Sequence, residues 1–201
     1  MNKTLLPLLV FAMLLPALSD AAGLLKYNPP PGTGAPHSSN GGGTRGFGLK
    51  QLQALAPRHT ALSSQSQPVL YWYSSQAKQE KARISVVKEG PSQAVLVKQI
   101  EIVATAGLQS VRLADYGVFL EEGELYRWIV AVGNSEPGSG TSLANTVSAT
   151  LRYQLPASPL SSVEQLADAG YWYDALQQLI EKNSPLVNDL LKQVGIQIPD
   201  L

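Results

Sequence analysis

Leu120-Glu121-Glu122-Gly123-Glu124-Leu125-Tyr126-Arg127-Trp128 is the stretch from which the fold is read. Glu122-Gly123 is a turn signal, and beyond it Tyr126, Trp128, Val130 and Val132 fall two apart. Side chains alternate across a strand, so this spacing puts all four on one face of a sheet.

The same period extends on both sides of that run. Val147, Ala149, Leu151 and Tyr153 alternate with Ser148, Thr150, Arg152 and Gln154, the pattern of a strand with one buried face. Ile100, Ile102 and Ala104 alternate with Glu101, Val103 and Thr105, Val111 and Leu113 flank Arg112, and Ile84 and Val86 repeat the pattern more weakly. Glu89-Gly90-Pro91-Ser92, Ala106-Gly107 and Asn134-Ser135-Glu136-Pro137-Gly138 separate the runs as turns. Short strands at this spacing with no helices between them predict a mainly β protein built as an antiparallel sandwich. The corner before Tyr126 makes the expectation immunoglobulin-like. In such domains a tyrosine entering a late strand packs its ring inward and bonds its hydroxyl to backbone a few residues upstream. Tyr126 fits that part, and Trp128 faces the same core; both read as structure and not as a ligand platform.

After Pro156 and Pro159 the period changes. Ser162 and Gln165 have the spacing of a helix capping box, with Val163, Leu166 and Ala167 on one face up to Gly170. Trp172, Leu176, Leu179 and Ile180 fall at helical spacing on a second segment. Ser184-Pro185 reads as the start of a third, with Val187, Leu190, Leu191 and Val194 as its stripe and Gly195 as its stop. Helices this short do not stand alone, so they must pack on one another, on the sandwich or on a partner. Residues 167–180 also look like half of a tetratricopeptide hairpin, with small residues at Ala169, Gly170 and Ala175, but no second copy follows at the expected period of about 34 residues.

The first residues read as an address. Lys3 precedes an apolar run from Leu5 to Leu18, and small residues at Ser19 and Ala21 place cleavage before Ala22, with cleavage before Asp20 or Gly23 as near alternatives. That run falls short of the roughly 20 residues a membrane-spanning helix needs. Residues 28–48, with Pro29-Pro30-Pro31 and Gly41-Gly42-Gly43, have too few apolar side chains to offset the entropy of ordering; the alternative is a recognition strip in which Pro29-Pro30-Pro31 favours polyproline II and His37 lends a metal ligand. The expected layout is a signal peptide over 1–21, a Pro/Gly/Ser-rich and mostly disordered leader over 22–66, a β-sandwich over 67–155 and carboxy-terminal helices over 160–198. The chain is expected to be exported, periplasmic or extracellular, with no transmembrane segment once the signal is removed. It has no cysteine, so burial and not disulfides must hold it together. Fifteen basic and fifteen acidic residues balance, which argues against a nucleic-acid partner.

No catalytic constellation is present. The histidines are His37, in the leader, and His59, just before the first strand, and neither sits in a nucleophile, zinc or phosphate-loop motif. Glu121, Glu122 and Glu124 are turn acids. No catalytic, cofactor or metal residue is assigned, and the expectation is a non-catalytic protein whose partner is an envelope protein. The alternative is a carbohydrate-binding module: Tyr71 and Tyr73 lie two apart on one strand, opposite Trp72, and if exposed would stack on sugar rings.

The signal peptide, the Pro/Gly-rich strip, Leu55-Ala56-Pro57, Val69-Leu70-Tyr71-Trp72-Tyr73, the Tyr-Arg-Trp strand and Gly170-Tyr171-Trp172-Tyr173-Asp174-Ala175-Leu176 followed by Leu190-Leu191 and Val194-Gly195 form a set. It resembles an exported bacterial family catalogued as domain of unknown function 928. The resemblance implies no activity and no catalytic residue. The chain departs from it where Leu186 and Val187 stand in place of a tryptophan before the last Leu-Leu pair. Within the signature, Trp172 is expected to anchor the helices. Asp174, about 200° round the helix from Trp172, is expected to face solvent or a cap.

Overall fold

The computed structural model describes residues 25–33, 52–75, 80–132 and 145–198. The expected signal peptide, His37, the Gly41-Gly42-Gly43 run and the turn at 134–138 lie outside them.

Tyr126, Trp128, Val130 and Val132 are each at most 2% exposed, as their period requires. They belong to β7 (Leu125–Val132), which pairs antiparallel with β4 (Glu80–Lys88) on one side and β8 (Asn145–Tyr153) on the other. Trp128 lies opposite Val86 on one neighbour and Ala149 on the other, so apolar residues meet across all three strands. The corner closes as expected: the Glu121 backbone N–H donates to the Tyr126 hydroxyl at 3.0 Å. Gly123 N–H donates to the Tyr153 carbonyl at 2.8 Å and locks the turn onto β8.

Two sheets are seen among the described residues. β1 (Leu52–Ala54), β3 (Val69–Ser74) and β6 (Gly107–Arg112) form one, with β3 in the centre. β2 (Ala61–Ser63), β8, β7, β4 and β5 (Val95–Ala104) form the other in that order. This is the strand order of an immunoglobulin-like sandwich. One pair departs from the expected antiparallel plan: β2 runs parallel to β8. Residues 55–60 carry the chain from β1 in one sheet to β2 in the other without the tight reversal that an antiparallel hairpin supplies.

Three helices follow: α1 (Val163–Asp168), α2 (Trp172–Glu181) and α3 (Leu186–Gln193). Ser162 and Gln165 form the capping box that opens α1. The helices dock on the sandwich. α2 packs on β2 and β3, and the Leu62 N–H donates to the Gly170 carbonyl at 3.1 Å. β3 is therefore covered twice, by the opposite sheet and by α2, which is why Leu70, Tyr71 and Trp72 are all buried.

Within the stretch 22–66, read in the sequence as leader, the described residues include two strands and several core side chains. Residues 52–63 supply β1 and β2, and Leu55 and Leu62 enter the core. Residues 25–33 lie against the helices, with Tyr27 7% exposed. Composition misses this because one aromatic entering a site built by distant elements orders a segment with little apolar surface of its own.

Candidate functional site

Two places in the fold stand out: the junction where the helices meet the sandwich, and the edge of β5 that no described strand covers.

At the junction, residues 171–177 are all buried, because α2 is covered on opposite faces. Each signature side chain has a separate task. The Trp172 indole N–H donates to the Leu55 carbonyl at 2.8 Å, and its ring meets Tyr27 edge-on with centroids 4.9 Å apart. The Tyr173 hydroxyl accepts from the Trp128 indole N–H at 2.9 Å and donates to the Thr150 carbonyl at 3.1 Å. Burial pushes the Tyr173 phenol far above its ordinary pKa, so it stays protonated.

Asp174, expected to face solvent or a cap, does not face solvent. It is 5% exposed, and its carboxylate accepts from Ser64 N–H at 2.9 Å, Ser64 O–H at 2.5 Å and the Gln65 amide at 3.4 Å. The helix geometry was right, since Asp174 does point away from Trp172. The face it occupies is closed by the 63–65 loop. Burial raises the Asp174 pKa, while the Ser64 and Gln65 bonds act in the opposite direction. These bonds latch the 63–65 loop to α2. Gln177 extends the latch by accepting from Gln65 at 3.1 Å.

Tyr71 and Tyr73 share a face, as their spacing demands, but they do not form an open platform. Tyr71 is 6% exposed and Tyr73 half-buried. Burial, together with the nearby Glu181 carboxylate of α2, raises the Tyr71 phenol pKa, with Arg112 opposing. α2 packs on β3, with Glu181 near Tyr71. His59, unremarkable in sequence, stacks on Tyr27 at 5.7 Å and shares a 2.9 Å hydrogen bond with the Tyr27 hydroxyl. Among the described residues, no group of three or more His, Cys, Asp or Glu gathers to hold a metal, and no helix is long and apolar enough to cross a membrane.

β5 is the second place. It is the outer strand of the five-stranded sheet, bonded along one side to β4, with a bulge between Val86 and Val87 in the pairing. Ile100 and Ala104 turn into the core, while Val95, Leu96, Val97 and Val103 are 40–59% exposed. Sequence alternation found the strand but carried no sign that it would end a sheet.

Among solved structures, the third fibronectin III domain of human KIAA0343 protein matches 57% of this chain and 86% of its own, at 13% identity and a TM-score of 0.29. R. palustris CsgH matches 52% of this chain and 92% of its own, at 16% identity and a TM-score of 0.26. No curated protein matches the chain. A family model described as Domain of Unknown Function (DUF928) matches residues 40–197, a span that holds both sheets, the corner at Tyr126 and the Trp172 junction; the chain belongs to that family.

Proposed function

We propose that this protein is an exported, non-catalytic component of the cell envelope that holds a partner protein along the edge of β5. The observation that carries the reading is the edge itself. A ten-residue strand, outermost among the described strands, offers a row of backbone N–H and C=O groups on the side that no described strand pairs, flanked by exposed Val95, Leu96, Val97 and Val103. Such an edge is a template for an added strand, in which backbone bonds supply affinity and alternate side chains supply selectivity. Lys98 and Glu101 lie within it, and the bulge next to Val97 limits indiscriminate pairing. Export rests on the charged, apolar and small-residue layout of residues 1–22. The non-catalytic part of the reading is supported by the sequence motifs and by the described residues, among which no nucleophile, base and orienter are seen to gather.

The test is photo-crosslinking from position 103 in the native envelope. One reproducible protein neighbour is expected, lost when Val97→Lys is added. A crosslinker at 103 that captures no reproducible neighbour rejects the reading.

A further inference from the structure

Residues 25–33 fill a groove whose walls come from elsewhere in the chain. The Tyr27 ring is inserted between His59 and Trp172, at 5.7 and 4.9 Å, and its hydroxyl is bonded to His59 Nε2 at 2.9 Å. Backbone groups are read as well. Tyr27 N–H donates to Gln193 Oε1 at 2.8 Å, Gln193 Nε2 donates to the Leu25 carbonyl at 3.0 Å, and Asn28 N–H donates to the Ala167 carbonyl at 3.1 Å. The Asn28 amide donates to Asp168 at 2.5 Å. Pro30 lies where a side chain on residue 170 would stand, since a Cβ added to Gly170 would come within 2.6 Å of its ring.

This is the anatomy of peptide recognition: an aromatic anchor in a pocket, backbone bonds on either side, and a proline against a glycine floor. The walls, His59 to Gln193, lie inside the family match at 40–197, and the occupant lies outside it. We propose that the groove is a peptide-binding site for an extended Tyr-Asn-Pro-Pro segment, and that residues 25–33 of a second copy of this chain can replace the molecule's own segment and link two molecules.

The second copy is the partner because the chain's own sequence is the one that fits. An exchanged segment makes the same contacts as the resident one, so exchange leaves the contact energy unchanged and is decided by concentration and tether length. Eighteen residues, 34–51, join the segment to β1, a length whose fully extended reach is at most about 60 Å.

The test uses two full-length mature chains and one peptide. Tyr27→Ala weakens the segment but leaves the groove, whereas Asp168→Ala with Gln193→Ala weakens the groove at exposed positions and leaves the segment. The synthetic peptide of residues 25–33 should bind the Tyr27→Ala chain, and should bind it at least about tenfold more weakly when the peptide itself carries alanine at 27. Mixing the two variants should give a one-to-one complex in native mass spectrometry that excess peptide dissolves. Failure of the peptide to bind overturns the groove as a recognition site. Peptide binding with a mixture that stays monomeric at concentrations well above the peptide Kd assigns the groove to closure within one molecule and overturns exchange.

Discussion

The Trp128 indole N–H, in the middle of the sandwich, is bonded at 2.9 Å to the hydroxyl of Tyr173, in the first turn of α2. The two residues are 0% and 2% exposed, so the bond forms away from water, where loss of one partner leaves an unsolvated donor. The helices and the sandwich therefore share one interior. The Trp172 bond to Leu55 crosses the same boundary from the neighbouring position.

Tyr173→Phe should cost about 1–3 kcal/mol in urea unfolding, because it strands the Trp128 N–H. Trp72→Phe is the control: its indole N–H has no hydrogen-bond partner among the described residues, so the substitution loses packing without losing a bond. A double-mutant cycle between Tyr173→Phe and Trp128→Phe should show coupling that a cycle with Trp72→Phe does not.

Trp172→Ala should cost about 3–5 kcal/mol as a large-to-small change in a closed site. Read as an anchor on helices alone, it would loosen them and spare the sandwich. With Tyr173 in the sandwich interior, the expectation is joint loss. Helical circular dichroism and the amide exchange of β7 should report one coincident transition, and a stable sandwich left after the helices melt would contradict the shared interior.

Asp174→Ala should destabilise by about 1–3 kcal/mol, since Ser64 N–H and O–H lose their acceptor. The charge itself works against the fold. Burial raises the Asp174 pKa above the ordinary 3.8, so its favourable contribution is complete below that value and is lost as pH rises through the raised one. Asp174→Asn should flatten the decline in stability over that window. An unchanged pH profile in the asparagine variant would show that the carboxylate is solvated.

His59 behaves in the opposite sense. Burial lowers its pKa from 6.5, so the neutral ring stabilises the fold above 6.5 and this contribution fades as pH falls through the lowered value. Thermal midpoints measured across mild acid should drop in the wild-type chain and lose that part of the slope in His59→Phe. The same acid range should loosen the Tyr27 segment first, visible as faster amide exchange at Tyr27 and Asn28.

What the sequence made legible was whatever repeats at short range. The β7 and β8 alternations, the Tyr126 corner and the Ser162–Gln165 box involve residues within a few positions of one another, and each is found in the structure. Three-residue strands such as β1 and β2 have too short a run for a period to show. The docking of Tyr27 was hidden for a different reason: one of its partners, Gln193, is 166 residues away. Asp174 shows the limit of a helical wheel, which gives the direction of a side chain but not what covers it. Gly170 reads in sequence as room for a helix to approach, and the structure fills that room with Pro30.

The hydrogen bond between Gln193 Nε2 and the Leu25 carbonyl has a topological consequence. It brings the first and last described elements side by side, so the backbone traces a nearly closed ring. A short peptide linker between these ends, with the ring reopened at the exposed Gly90-Pro91-Ser92 turn, should give a circular permutant that keeps every contact named above.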